Sequence, residues 1–242
     1  MPVSKRQPPT SAPDGRAALS RAAILDAALE LADERGLAAA SMRAIADRVG
    51  VTPMALYPYV GSKADLLDGL VDRMLGEYLP DAVGASGIAW AERLRRLAYA
   101  SRDLARRHPH TFTLLFERPA VTADAVRLVD FVYQALLDAG VGDSQVPRLE
   151  RLFTTFCLGF ALSEVNGRFG AGTLDTRGRR AQAAPGAVPA HERLARYLDQ
   201  EVDWDAEFVA DVSDLVALVA DVAGAVTDDR GVAGDNGSRR TA

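Results

Sequence analysis

The amino-acid sequence predicts an all-α protein, with a small N-terminal helical domain followed by a larger C-terminal helical bundle. Apolar residues recur every three to four positions along most of the chain, and cap and turn residues divide these stretches into helices. No stretch of useful length alternates between apolar and polar residues as a half-buried strand would. Hydrophobic residues make up 48% of the chain, which is enough to form a substantial core.

The first two helices are each bounded by a serine and a glycine. Ser20 is placed to cap a helix that Gly36 ends, and Ser41 is placed to cap a shorter helix that Gly50 ends. Thr52 and the proline after it give a capping residue with proline at the first helical position, which predicts a third helix. We expect Pro58 to end or kink it within two turns. Ser62 caps a fourth helix, which Pro80 is expected to close.

Longer helices are predicted for the remainder, at about residues 89–107, 112–116, 122–139, 146–169 and 205–226. Residues 170–190 have no apolar periodicity and are expected to form a mobile loop. Residues 1–18 and 227–242 are rich in small and polar residues, which predicts a disordered arm and a disordered tail. Residues 19–64 and 65–226 then form the two predicted domains.

Charge and cysteine content restrict the function. The formal net charge of −5 excludes a globally basic nucleic-acid binder but not a local basic surface. Basic residues precede Ile24 at Lys5, Arg6, Arg16 and Arg21, against the single acidic Asp14. One cysteine cannot form an internal disulfide, and neither a signal peptide nor a membrane span is recognisable, so a cytoplasmic protein with no membrane contact is expected.

Residues 41–59 fit a helix-turn-helix, two short helices held at a steep angle by a tight turn. Ala46 is small enough to lie where the helices touch, and Gly50 supplies the turn. Ile45, Val49, Val51 and Leu56 form a predicted apolar underside.

The segment that starts at Thr52 would then enter the major groove of double-stranded DNA. Met54 and Ala55 would contact thymine methyl groups, and Arg43 a guanine or a phosphate. Backbone phosphates would be held by tyrosines, Lys63 and the free amides at the start of the fourth helix. The predicted DNA-binding residues are Ser41, Arg43, Thr52, Pro53, Met54, Ala55, Tyr57, Tyr59, Ser62 and Lys63. Alternatively, Arg43 and Lys63 are ordinary solvated charges, and Tyr57 and Tyr59 are core aromatic residues with their hydroxyls at the surface.

From Ser20 to about Leu79 the sequence resembles the N-terminal domain of the tetracycline-repressor (TetR) family. The matching positions are Arg43, Ile45, Ala46, Gly50, Val51, Leu56, Tyr57, Tyr59, Val60, Lys63, Leu66 and Leu67. Ser41 replaces the usual threonine, and Pro58 stands in a position that is often aromatic. The resemblance implies a repressor that leaves a palindromic operator when a small-molecule effector binds. The C-terminal part is similar to the tetracycline repressors themselves, which implies a homodimer built from the last two long helices.

Two sets of apolar residues are candidates for the dimer interface and the effector pocket. The interface candidates are Phe208, Val212, Leu215 and Val219, and the pocket candidates are Phe112, Phe116, Phe131, Phe153, Phe156, Cys157 and Phe160. Either set is equally consistent with the core of one chain. Where the tetracycline repressors use a histidine to hold drug-bound magnesium, this chain has Leu114 and Leu115, so neither tetracycline recognition nor a cofactor is expected.

Catalytic signals are weak. His108 and His110 flank a proline at a spacing that suits a metal poorly on a helix, and Cys157 lies in an apolar helix with no adjacent base. Neither a phosphate-binding loop nor a nucleophile elbow is present. The sequence therefore favours a regulator over an enzyme, and the competing class is a helical ligand carrier that does not bind DNA.

Overall fold

A computed structural model describes residues 19–83, 87–118, 122–170 and 175–235. The predicted arm at residues 1–18 lies outside the described residues, as do residues 236–242 of the predicted tail. The described residues form helices and no strand, which confirms the all-α prediction. The helices are α1 (Arg21–Arg35), α2 (Met42–Val49), α3 (Tyr57–Val60), α4 (Lys63–Val83), α5 (Trp90–Arg107), α6 (Leu114–Glu117), α7 (Ala123–Asp138), α8 (Val146–Val165), α9 (Thr176–Ala181), α10 (Pro189–Leu198) and α11 (Trp204–Asp235).

The predicted ends of α1 and α2 are confirmed. The Ser20 hydroxyl accepts a hydrogen bond from the backbone amide of Ala23 at 3.1 Å, and the Ser41 hydroxyl accepts one from the amide of Ala44 at 3.2 Å. Gly50 ends α2 in the left-handed conformation, with φ 76° and ψ 35°. This conformation reverses the chain direction tightly at little cost for glycine.

Pro58 does not end the third helix, contrary to the prediction. Pro53–Ala55 form a single 3₁₀ turn, and α3 follows from Tyr57 to Val60. Pro58 is the second residue of α3, where the backbone N–H would have no helical partner, so proline is tolerated there.

Other helix ends also differ from the prediction. Helix α4 passes Pro80 and reaches Val83, since proline removes one backbone donor without forcing the last turn to unwind. Helix α8 stops at Val165 because Gly167 takes a positive φ of 75°. The segment 170–190 contains the short helix α9, which is capped by the Asp175 carboxylate. Helix α11 continues beyond residue 226 to Asp235, through the first part of the predicted disordered tail.

Helices α4, α5, α7 and α8 pack together, and α1 and α11 cover the outside of this bundle. Arg102 of α5 is buried among three helices. Its guanidinium pairs with Glu164 of α8 at 2.7 Å and with Asp205 of α11 at 2.6 Å, and it lies 4.7 Å from the ring centroid of Phe208. The charge is therefore neutralised where it is desolvated, and the three helices are held in register.

The apolar stripe of α11 belongs to the core of its own chain. Phe208, Val212 and Val219 are 0%, 1% and 2% exposed, and Leu215 is partly buried against the same core. The prediction of a dimer interface is therefore corrected for Phe208, Val212 and Val219, because side chains with almost no accessible surface have none to offer a second subunit. None of the described helices is both long enough and apolar enough to cross a membrane.

Candidate nucleic-acid interface and internal cavity

The turn and helices at residues 41–63 expose one face and bury the other. On the buried face, Ile45, Ala46 and Leu56 have no exposed surface, and Val60 is 3% exposed. Helix α1 and the first part of α4 cover this face. Burial of these four side chains fixes the rotation of the whole segment, so the opposite face points outward. The side chains on that opposite face are not needed for packing and remain available for binding.

The outward face holds the predicted DNA-binding residues. Met54 is 74% exposed, Tyr57 45% and Tyr59 42%, so the alternative of a core aromatic at Tyr57 is wrong. Ser41 and Ala55 are only partly exposed, and the Ser41 hydroxyl is occupied by the cap of α2. The other members of the set are exposed: Arg43, Thr52, Pro53, Ser62 and Lys63. We call this outward face, from Arg43 to Lys63, the rim.

The basic side chains of the rim differ from those behind it. Arg48 lies on the other side of α2 and pairs with Glu34 through two contacts of 2.8 and 2.5 Å. Arg73 of α4 pairs with Asp26 at 2.5 Å. Within the described part of the chain, neither Arg43 nor Lys63 forms an ion pair. Their charges are therefore available to an external anion.

The start of α4 offers fewer amides than the sequence suggested. The Ser62 amide donates to the Asp65 carboxylate at 2.8 Å, and the Asp65 amide donates to the Ser62 hydroxyl at 3.3 Å. This is a reciprocal capping box. Hydrogen bonds from the backbone and side chain of Ser62 lower the pKa of Asp65. Gly61, just before the box, has φ 63° and ψ −129°, a backbone conformation that residues with a side chain rarely adopt.

The C-terminal domain contacts the start of α4 through Arg118. Arg118 donates to the backbone carbonyl of Ala64 at 3.1 Å and lies 3.1 Å from the Asp68 carboxylate. Arg118 directly follows α6, so the residue after α6 is tied to the first turn of α4.

A buried histidine joins α5 to the DNA-binding domain. The Nδ1 atom of His108 lies 2.7 Å from the Asp33 carboxylate of α1, and its Nε2 atom lies 3.0 Å from the Glu77 carboxylate of α4. Burial raises the pKa of Asp33, and the hydrogen bond from His108 partly offsets this effect. His108 therefore serves as a bridge between helices and has no free ring nitrogen for a metal ion.

A cavity of about 220 Å³ lies inside the bundle. Its wall contains three of the predicted pocket residues, Phe112, Phe153 and Cys157. Burial raises the pKa of the Cys157 thiol well above its ordinary range. The other wall residues are Leu75, Tyr78, Leu97, Ser101, Leu104, Leu115, Ala125, Leu128, Val129, Val132, Glu150, Thr154 and Leu158.

The other four predicted pocket residues lie elsewhere, and the prediction is corrected for them. Phe116 is 47% exposed, and Phe131 packs beneath the guanidinium of Arg93. Phe156 and Phe160 contact the Phe208 ring, with centroids 6.5 and 4.9 Å apart. Their side chains fill the contact with α11, so they leave no space there for a ligand.

The polar groups of the cavity were not predicted from the sequence. The Tyr78 hydroxyl donates to the Leu97 carbonyl at 2.9 Å and lies 3.2 Å from the Ser101 hydroxyl. Thr154 donates to the backbone carbonyl of Glu150 at 2.9 Å and lies 3.1 Å from its carboxylate. Glu150 and Thr154 are four residues apart on α8, on the same side as Phe153 and Cys157. This spacing is the feature of the sequence from which their place in the cavity wall could have been predicted. In the described part of the chain, no group of three or more His, Cys, Asp or Glu side chains could hold a metal ion.

A helix-turn-helix whose outward rim carries two cations that form no ion pair among the described residues is typical of a DNA-binding protein, and a helical bundle with a cavity lies behind it. Comparison with known proteins agrees with this class. Residues 24–70 match the family model described as bacterial regulatory proteins, tetR family, and residues 94–184 match the tetracycline repressor-like C-terminal domain. The chain is 31% identical to an HTH-type transcriptional regulator of Saccharopolyspora erythraea over 209 residues, 85% of this chain and 86% of the relative.

One further relative supports the assignment, and a solved structure shows the same fold. The class A tetracycline repressor from transposon 1721 of Escherichia coli is 30% identical over 169 residues, 67% of this chain and 73% of the relative. The structure of ActR from Streptomyces coelicolor in complex with actinorhodin superposes with a TM-score of 0.73 at 23% identity, covering 86% of this chain and 100% of that chain. The chain belongs to the TetR family and is a DNA-binding transcriptional regulator.

Proposed function

We propose that this chain is a homodimeric repressor that binds a palindromic operator through the rim and is released when a small molecule occupies the cavity. The observation that carries the proposal is the rim itself. Two cations that form no ion pair with any described residue, together with a row of exposed side chains, lie above the buried side chains of Ile45, Ala46, Leu56 and Val60. A surface of this kind fits the major groove and the phosphates beside it.

The rim residues divide into those that read bases and those that hold phosphates. Met54 is the most exposed of the large apolar side chains, and it is placed with Thr52 at the front of the 3₁₀ turn. Apolar contact to thymine methyl groups suits Met54, and Thr52 can hydrogen-bond a base edge. Tyr57, Tyr59 and Lys63 lie further along the rim, where phosphate contacts would fix the register of the protein on the duplex.

The dimer that we propose uses the outer faces of α8 and α11. Val209 and Leu218 of α11 are 48% and 38% exposed, and Leu152 of α8 is 41% exposed. Between Val209 and Leu218 the exposed side chains include the small residues Ser213 and Ala217, which would permit close helix packing. A dimer would present two rims to half-sites about 34–36 Å apart. Because both rims would bind the same duplex, the affinity of the dimer for the operator would far exceed that of one rim for one half-site.

Helix α4 is the proposed link between ligand and operator. Leu75 and Tyr78 of α4 line the cavity, and Lys63 at its first residue belongs to the rim. A ligand that displaces the α4 side of the cavity wall would turn the helix and change the separation of the two rims. The ActR complex with actinorhodin is consistent with small-molecule binding by this fold.

The test is operator binding as a function of salt concentration. We expect a Lys63→Ala variant to bind the operator more weakly and to reduce the slope of log affinity against log salt by about one for each half-site. Arg127→Ala is the matched control, because Arg127 is an exposed arginine of α7 that belongs neither to the rim nor to the proposed dimer faces of α8 and α11. An unchanged slope in Lys63→Ala would overturn the assignment of the rim. A ligand carrier without operator binding would show no steep salt dependence in the wild type.

A further inference from the structure

The cavity is partly open, and its size restricts the part of the ligand that it can surround. A cavity of about 150 Å³ in another protein accommodates benzene, and the cavity here measures about 220 Å³. The space therefore suits one ring or two fused rings with a short substituent. Most of the wall is aliphatic or aromatic, so the body of the ligand must be apolar.

The charge of the wall restricts the ligand further. Three wall residues are ionisable: Tyr78, Glu150 and Cys157. Burial raises the pKa of Tyr78 and of Cys157, so both stay neutral near neutral pH. Glu150 is partly buried, and among the described residues no cationic side chain pairs with it. The charge of the wall is therefore the negative charge of one carboxylate.

The hydroxyl groups of the wall are already engaged as donors. The Tyr78 hydroxyl donates to a backbone carbonyl, and Thr154 donates to the backbone carbonyl of Glu150. The carboxylate of Glu150 lies 3.1 Å from the Thr154 hydroxyl, but a carboxylate accepts several hydrogen bonds, so Glu150 keeps acceptor capacity for a ligand. A ligand that brings a hydrogen-bond donor would satisfy this group, and a positively charged donor would form the stronger, charge-assisted bond. An anionic ligand would place two like charges in an apolar space.

We propose that the cavity selects compact aromatic amines, with the protonated amine on Glu150 and the rings among Phe112, Phe153 and Leu104. This inference rests on the proposed function, in which the cavity is the effector site. It adds the chemical class of the effector and identifies Glu150 as the residue that determines the charge preference.

The experiment measures binding of three probes of similar size to the full chain by calorimetry: naphthylmethylamine, naphthylmethanol and naphthoate. We expect the amine to bind roughly tenfold more tightly than the alcohol, as for a hydrogen bond between charged groups, and the naphthoate to bind least. In Glu150→Gln, which keeps the shape of the side chain, the amine should lose its roughly tenfold advantage. Asp130→Asn is the matched control. It removes an exposed carboxylate of α7 outside the cavity wall and should leave the order of the probes unchanged.

The outcomes separate this inference from the proposed function. The role of Glu150 would be overturned if amine and alcohol bound the wild type with equal affinity. It would also be overturned if the preference for the amine survived in Glu150→Gln. In both cases the cavity would remain a ligand site. Because the wild-type series needs no variant, the comparison holds even if Glu150→Gln folds poorly. If none of the probes binds to a preparation that still binds the operator, the proposed ligand class is refuted, whereas the rim and the cavity as effector site are unaffected.

Discussion

Gly61 connects the end of α3 to the start of α4, and replacing it with alanine should be among the most damaging changes to the DNA-binding domain. The φ of 63° and ψ of −129° lie outside the regions open to residues with a side chain. A Cβ atom added here would clash with the Oδ2 atom of Asp65, and that oxygen is held by two hydrogen bonds from Ser62 at 2.8 Å. The new methyl group therefore meets both a strained backbone and a side chain that cannot move without breaking the capping box.

The expected loss of stability is the sum of these two effects. A residue held in such a sparsely populated conformation costs about 1–3 kcal/mol. Breaking the cap of α4 costs about 1 kcal/mol more. We therefore expect Gly61→Ala to lower the free energy of unfolding by about 2–4 kcal/mol. Operator affinity should fall as well, because this turn sets the angle between α3 and α4.

The assay is urea unfolding at a fixed protein concentration, since the proposed dimer would make the apparent stability depend on concentration. Gly50 is the matched control: it has φ 76° and ψ 35°, the ordinary left-handed conformation, and an added Cβ would meet no atom within 4 Å. Asparagine tolerates this conformation, so Gly50→Asn should be nearly neutral and Gly61→Asn should not. In an Asp65→Ala background, Gly61→Ala should cost less than in the wild type, because only the backbone strain remains. A loss below about 0.5 kcal/mol for Gly61→Ala would refute the strain argument, since that is the scale of ordinary surface substitutions.

Two other predictions concern buried titratable groups. The Cys157 thiol should not react with a disulfide reagent such as dithiobisnitrobenzoate in the native protein, because burial raises the pKa of the thiol and shields it from the reagent. In denaturing urea the thiol should react at once. Fast labelling of the native protein would contradict this prediction. The folded-state pKa of Asp33 is raised, so its contribution to stability is fully present below the ordinary value of 3.8 and is lost as pH rises through the raised folded value. In urea unfolding between about pH 3.5 and pH 5.5, the stability advantage of the wild type over Asp33→Asn should therefore shrink as pH rises, and an advantage that grows would show that His108 outweighs burial.

The sequence was sufficient for features that depend on a few neighbouring residues. The caps of α1 and α2 follow from a serine at one end and a glycine at the other, because the bonds they make span only three or four positions. The rim follows for a similar reason: the spacing of Ile45, Ala46 and Leu56 decides which side of a short segment is buried. Pro58 was misread because the prediction treated the third helix as continuous from Thr52, whereas a 3₁₀ turn comes first and moves the proline to the start of α3.

The cavity could not be located in this way, because a cavity is a place that side chains fail to fill. Phe153 and Phe156 lie three residues apart on α8, and each is a large aromatic residue of an apolar stripe. Phe153 lines the cavity, whereas Phe156 packs on Phe208 of a helix some fifty positions later in the chain. Their different environments are set by where α11 crosses α8, and no local pattern encodes that crossing.

The same argument explains why the stripe on α11 could not be assigned to a partner from the sequence. A three-to-four spacing states only that one side of a helix is apolar, and both a core and a dimer interface satisfy it. What distinguishes them here is the buried Arg102, which draws Asp205 and Phe208 toward α5 and so turns the stripe inward. In the dimer that we propose, the side of α11 left for a second subunit is then the opposite one, with Val209 and Leu218. This side has fewer large apolar residues than the stripe, so the proposed association would depend on small residues that allow close helix packing.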